Sequence, residues 1–188
     1  MRIEAELKAV VRDVDALRAE LDQRGTAQMS TYADRYFDYS DHRLAEQGHE
    51  LRVRTIMDHC GQTRVLLTYK EPVMDAGSGS KREHETTAED ADVLACVFTA
   101  LGVVEFIAFQ KHCVNYRFTA LGRDLLATVV TVPELAGQTF IELETRAEAD
   151  EVNAALDVVR SVLRELGISE HDLITETYTD AVTAQRRR

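Results

Sequence analysis

The chain has 188 residues, of which 45% are hydrophobic and 29% charged, and a formal net charge of −11. Length and apolar content bound it to one globular domain that can bury a core without disulfides, and the acidic balance argues against nucleic acid or an anionic membrane as partner. Cys60, Cys96 and Cys113 have no C-x-x-C spacing and read as reduced thiols; no apolar run approaches the roughly 20 residues that span a bilayer, so the expected compartment is the cytoplasm.

The first strand is Ile3-Glu4-Ala5-Glu6-Leu7-Lys8. Alternate strand residues share a face, so Glu4, Glu6 and Lys8 project together, opposite Ile3, Ala5 and Leu7. Neighbouring carboxylates repel, and a divalent cation bound through oxygen is the usual way to hold them ionised together. A solvated polar face is the alternative for one such strand, but the pattern recurs at Ile141-Glu142-Leu143-Glu144 and at Arg82-Glu83-His84-Glu85. Each copy is followed by an acidic helix start and a Gly stop, at Asp13 to Gly25, Asp90 to Gly102 and Asp150 to Gly167. This is internal symmetry within one domain.

In chain order, Asp13 caps an amphipathic helix carrying Val14, Leu17 and Leu21, and Gly25 stops it. Met29 to Tyr39 reads as a strand with Tyr32, Asp34, Tyr36 and Asp38 on one face, followed by a turn or short helix ending near Gly48. Glu50 to Ile56 alternates charge with apolar side chains, and Gly61 turns it into a return strand from Thr63 to Glu71. These two strands present Arg52 and Arg54, and Arg64 and Lys70, and the run from Arg52 to Lys70 holds only Asp58 as an acid. That is either an anion site or an ordinary polar sheet face. Met74 to Ser80 reads as a loop or a lid. The strand Arg82–Thr87, a helix near 92–101, a strand or bent pair from Val103 to Phe118, and the apolar strand Leu125–Val132 follow. Lys111, Cys113, Asn115 and Arg117 share one face of the long strand. A terminal element from Asp172 to Ala181 is anchored by Tyr178, and the chain ends in Arg186-Arg187-Arg188.

The count is about eight antiparallel strands and three principal helices, an α+β fold. Strands with one charged face cannot make a dry sandwich; a closed eight-stranded barrel with a wet lumen and helices outside accommodates them. Lumen carboxylates would hold a cation and lumen Arg and Lys an anion, a combination suited to a polyphosphate with its metal ion.

These residues resemble the CYTH superfamily, the triphosphate tunnel metalloenzymes, which include class IV adenylate cyclases, thiamine triphosphatases and inorganic triphosphatases. The resemblance rests on Glu4-x-Glu6-x-Lys8, Tyr36-Phe37-Asp38, Leu51-Arg52-Val53-Arg54, Leu67-Thr68-Tyr69-Lys70-Glu71-Pro72, Arg82-Glu83-His84-Glu85, Lys111 with Tyr116, Phe140-Ile141-Glu142-Leu143-Glu144 and Thr177-Tyr178. It implies an eight-stranded antiparallel tunnel spanning 1–182, with 183–188 a frayed basic tail. It implies Mg2+ or Mn2+ on Glu4, Glu6, Glu142 and Glu144; a triphosphate clamp of Arg52, Arg54, Lys70, Lys111 and Arg117; and catalytic roles for Lys8, Glu83 and Glu85. The segment Leu67 to Pro72 looks most like the class IV adenylate cyclases, which convert ATP to cyclic AMP and pyrophosphate. Hydrolysis of an inorganic, thiamine or other organic triphosphate, and non-catalytic binding of a polyphosphate or nucleotide, are the alternatives, and a homodimer is compatible with all of them. The sequence departs from the family at two places: Lys111-His112-Cys113 stands where K-x-R is usual, with Arg117 the candidate substitute, and 128–132 lacks a customary aspartate.

Overall fold

The computed structural model describes residues 3–73, 81–135 and 137–188; the loop or lid expected over Met74–Ser80 lies outside them. Nine strands and five helices occur among the described residues. In order they are β1 (Ile3–Val10), α1 (Val14–Arg24), β2 (Gln28–Asp38), α2 (Arg43–Glu46), β3 (Glu50–Asp58), β4 (Thr63–Val73), β5 (Lys81–Ala88), α3 (Ala91–Ala100), β6 (Val104–Ala120), β7 (Arg123–Thr131), β8 (Thr139–Ala147), α4 (Val152–Glu165), β9 (Leu173–Ile174) and α5 (Tyr178–Arg186). The strands run β5-β4-β3-β2-β6-β7-β8-β1, every pair antiparallel, and β1 meets β5 through Ile3 and Arg82. The result is the closed eight-stranded barrel with helices outside that the alternation demands. The two-residue β9 leans on β1 at Lys8 and Ala9.

Register carries the alternation around the wall. Glu6 stands opposite Glu144 and Lys8 opposite Glu142; Thr128 stands opposite Glu142 on the next pair, and Asn115 opposite Thr128 on the one after. A polar residue on one strand therefore meets lumen-facing residues on both neighbours. The outward residues are packed under helices. Ala5 and Ala147 meet Ala155 and Leu156 of α4, where the small side chains let the helix lie close to the sheet. Leu17 and Leu21 of α1 join Val159, Val162 and Leu163 of α4 over Ile141 and Leu143. Phe98 of α3 meets Phe37 edge-on at 5.0 Å.

Local signals set the element ends. Asp13 and Asp90 both cap, accepting from Ala16 N at 3.0 Å and from Asp92 N at 2.7 Å. Asp38 accepts from the amides of Tyr39, Leu44 and Ala45, which organises the short α2. β6 is one continuous strand of 17 residues, with a register shift against β2 at Tyr36/Phe37 in place of a break. It turns into β7 through Leu121-Gly122, both at positive φ (49° and 77°), the combination that matches strand twist in a two-residue hairpin.

The expected frayed tail over 183–188 needs correction. α5 continues to Arg186, whose guanidinium makes two contacts of 2.7 Å to Glu134 and donates to the Ala108 carbonyl at 2.6 Å. Thr177 caps the other end by accepting from Asp180 N at 3.1 Å. With both ends held, and Val182 fully buried beneath it, the helix is part of the domain.

Gly25, at the end of α1, lies close against the barrel backbone. A Cβ there would lie 2.8 Å from the Arg117 carbonyl oxygen, a backbone atom that cannot swing aside. Gly25→Ala is expected to cost about 1–3 kcal/mol, measured as a lower urea midpoint at unchanged m-value.

Candidate active site: a charged tunnel

The barrel lumen is a cavity of about 350 Å3 whose walls carry seven carboxylates and eight cationic side chains. All twelve residues singled out from the sequence line it: Glu4, Glu6, Lys8, Arg52, Arg54, Lys70, Glu83, Glu85, Lys111, Arg117, Glu142 and Glu144. Glu50, Arg64 and Arg146 line it as well. At one mouth Arg117, Leu126, Glu144 and Arg146 are shared with a second, larger cavity of about 790 Å3. This vestibule opens over the β6–β7 turn, with Arg123, Asp124 and Glu151 on its wall.

The charges are not uniformly mixed. On one side, Lys111 is 3% exposed and Arg52 8%. Asp34, 1% exposed, accepts from Arg54 twice, at 2.6 and 2.8 Å, and lies 3.8 Å from Lys111. Despite its burial, Asp34 is held well below the usual carboxylate range by Arg54 and Lys111. It is a fixed anion that orients two cations, and the Tyr32 ring lies 4.6 Å from the Arg54 guanidinium carbon. Lys70 reaches Glu83 at 3.2 Å, and Arg52 approaches Glu83 at 3.9 Å. Burial and Arg52 pull the Lys70 pKa down, but Glu6, Glu83 and Glu50 together hold it above its ordinary value.

On the other side, Glu4, Glu6 and Glu144 each place a carboxylate oxygen within 4.8 Å of the others. Burial, with Glu83 and Glu144 close by, raises Glu4 to about 9, while burial and Glu6 raise Glu144 to about 7. Burial and Glu142 raise Glu6 as well. Glu4 in its protonated form donates to Glu83, which is held at about 2 by that bond, Lys70 and Arg52 against its burial. A group of hard oxygen donors that takes up protons in this way is chemically suited to a divalent cation, which would displace them.

Glu142, expected among the metal carboxylates, stands apart from this triad. It lies 3.8 Å from Lys111; burial works to raise its pKa, but Lys111 and Arg54 hold it low. Glu85 accepts from the Thr68 hydroxyl at 3.3 Å near the exposed end of β5. Lys8 turns away from the triad, contacting the Glu176 carbonyl with its ammonium 4.4 Å from the Tyr178 ring centre.

The two departures from the family pattern are explained locally. Cys113 shares the inward face of Lys111 but does not line the cavity. It is 2% exposed in an apolar cluster with Phe109, Val130 and Phe140, where burial pushes the thiol up to about 12. Arg117 is four residues further along β6, ~13 Å at the usual strand rise, and sits at the mouth, so it does not replace a guanidinium at Cys113. Thr128 stands on the strand where the aspartate is customary, and its hydroxyl donates to Asn115 at 3.0 Å. Sequence reasoning missed Asp34 as the buried partner of the lumen cations, and Arg146 and Tyr178 as lumen residues. The period-two row Tyr32, Asp34, Tyr36 was the available signal for the first; Arg146 continues the row of Glu142 and Glu144.

Comparison with known proteins agrees with this geometry. The CYTH domain pattern matches residues 2–178. A protein of Methanocaldococcus jannaschii named "putative adenylate cyclase" is 27% identical over 181 residues, covering 95% of this chain and 97% of its own. The PH1819 protein of Pyrococcus horikoshii has the same fold, with a TM-score of 0.81, 24% identity, and coverage of 97% of this chain and 99% of its own. A "putative adenylyl cyclase" from Hippeastrum, whose structure is reported with a dominant triphosphatase activity, aligns with a TM-score of 0.62 at 17% identity, over 98% of this chain and 96% of its own. With the pattern running over nearly all of its length, the chain belongs to the CYTH domain family.

Proposed function

We propose that this protein is a metal-dependent enzyme acting on an organic triphosphate, with class IV adenylate cyclase chemistry, ATP to cyclic AMP and pyrophosphate, as the leading reading. The observation that carries it is the continuity of the charged tunnel with the 790 Å3 vestibule. A triphosphate chain fits the narrow cationic part, and the adjoining space accepts the organic group that inorganic tripolyphosphate lacks. A second reading, hydrolysis of the terminal phosphate, is favoured by the triphosphatase activity of the Hippeastrum neighbour.

Arg52, Arg54, Lys70 and Lys111 bind the non-bridging phosphate oxygens, each such charge-assisted contact contributing about 1.5–3 kcal/mol. Asp34 and Glu83 orient these cations. Because Glu83 remains ionised down to about pH 2, it is a weak proton acceptor at neutral pH and serves to position Lys70 and Arg52. Glu4, Glu6 and Glu144 would hold Mg2+ or Mn2+, which supplies charge neutralisation and polarisation of the phosphate when bound. The tunnel walls keep the α-phosphate and the organic group in one orientation, and that orientation decides between an internal hydroxyl and water as nucleophile.

The decisive assay incubates the protein with ATP, tripolyphosphate and thiamine triphosphate in Mg2+ and then Mn2+, and identifies the products. Cyclic AMP and pyrophosphate in equal amounts are expected; ADP and phosphate without cyclic AMP would transfer the assignment to a triphosphatase, and tight binding without turnover to a binding protein. Lys111→Met is expected to weaken triphosphate binding about tenfold to a hundredfold by calorimetry.

The carboxylate triad gives a pH prediction. The folded metal-free protein holds protons on Glu4 and Glu144 that the unfolded chain releases above about pH 4.5, so their contribution to stability is lost as pH rises toward 7 and then 9. Mg2+ takes the place of those protons. The rise in melting temperature on adding Mg2+ is therefore expected to be larger at pH 8.5 than at pH 6, and to shrink in Glu4→Gln. An equal Mg2+ effect at both pH values would remove the triad from metal binding.

A further inference from the structure

Helix α3 is apolar on two sides. Its first stripe, Ala91, Leu94, Ala95 and Phe98, follows the i, i+3, i+4, i+7 spacing of one helix face and packs on Phe37, Val53 and Val65 of the barrel. Val93, Cys96, Val97 and Ala100 repeat that spacing on the opposite side. All four are exposed, Val93 at 58% and Val97 at 47%, and Leu101 is exposed just past the end of the helix. Asp92 is the one charged side chain in the ten residues. A surface helix normally turns a charged face to water, as α4 does with Asp157, Arg164 and Glu165, whereas a helix that is apolar all round is normally covered.

The free stripe is complementary to itself. Its spacing reads the same in both directions, so two copies of α3 laid antiparallel across a two-fold axis set Val93 against Ala100 of the partner subunit and Cys96 against Val97 of the partner subunit. Each pairing puts a larger side chain against a smaller one, which lets two helix surfaces interlock. Charge points the same way. The chain carries −11, so one copy repels another except across a surface free of charge, and the acids bordering the stripe are engaged within their own chain. Asp92 accepts from Arg35 at 2.8 Å, and Asp90 caps the helix through the amides of Asp92 and Val93. A basic partner would find neither carboxylate free. A helix of this length is about 15 Å long, which makes the pair a small interface, under about 1,200 Å2 in total, the size of weak and reversible association.

We propose that the outer face of α3 is a homodimer interface, an antiparallel pair of α3 helices about a two-fold axis. None of its four side chains lines the tunnel or the vestibule. Each protomer therefore keeps a complete site, and the interface stands or falls independently of the triphosphate reading.

Sedimentation equilibrium between about 2 and about 200 μM tests it, in the range where a small interface dissociates. A reversible monomer–dimer equilibrium is expected. Because no ion pair crosses the axis and the two copies repel, raising the salt to about 0.3 M is expected to tighten the dimer. Val97→Glu sets two carboxylates facing across the axis and is expected to weaken association at least tenfold, with the melting temperature of the dilute protein unchanged because the side chain is exposed. A second measurement needs no change to the stripe. In Cys60→Ser, Cys96 is the remaining exposed thiol, and a short bismaleimide is expected to trap the dimer through it, since the paired helices lie about 8–10 Å apart. A protein that stays monomeric at the highest concentration, a dimer that loosens with salt or survives Val97→Glu, or a dimer that Cys96 does not cross-link would overturn the α3 interface.

Discussion

The structure depends on a single constraint: seven carboxylates and eight Lys and Arg side chains share the inside of a closed sheet. A charge buried alone is costly, and a pair broken in the interior is costlier than one never formed. The barrel meets this by arranging nearly equal numbers of each sign at cross-strand neighbour distance, in a chain whose overall balance is −11. The excess acid lies elsewhere, on the helices and outer faces. The lumen balances seven carboxylates against eight cations in number and is strongly polarised within, from a proton-holding carboxylate triad to a bank of cations pinned by Asp34 and Glu83.

That polarisation gives chemically identical side chains different roles. Glu4 and Glu83 share a hydrogen bond, yet one is raised to about 9 and the other held at about 2. The difference lies in their neighbours: Glu83 has Lys70 and Arg52 within 4 Å, while Glu4 has a longer contact to Lys70 at 3.9 Å and two other carboxylates. A cation arriving at the triad would meet groups that can yield a proton, while the cations opposite would be left in place by their own anions.

Much of this was legible in the sequence because the strand period is two and one face is charged. Three Glu-x-Glu strands, Arg52-x-Arg54 and Lys111 announced a polar interior, and a closed sheet was the architecture that could accommodate it. Cross-strand register was harder to read. Nothing local to β2 says that Asp34 will lie beside Arg54, since that pairing is made by the β2–β3 register. Glu142 looked equivalent to Glu144 by spacing, but Lys111 reaches it from two strands away, over β7. Cys113 looked like a lumen position by parity, and an apolar layer of Phe109, Val130 and Phe140 closes over it. The last turns of α5 looked frayed from composition, because their stabilising partner, Glu134, is 52 residues away in the chain.

The closure of the wall sets where it can come apart. Seven of the eight seams are long ladders, and among the described residues β1 and β5 pair at Ile3 and Arg82. β1 is held on its other edge by β8 along eight consecutive residues, and on the β5 side Glu4 donates to Glu83 and lies 3.9 Å from Lys70, so the charged side chains of the lumen themselves bridge this seam. Hydrogen exchange follows local openings, and the β5 amides that face β1 are the ones that would register an opening at this seam. The carboxylates nearest that seam, Glu4 and Glu83, belong to the two strands it joins, so where the cylinder closes is also where protonation depends most on being enclosed.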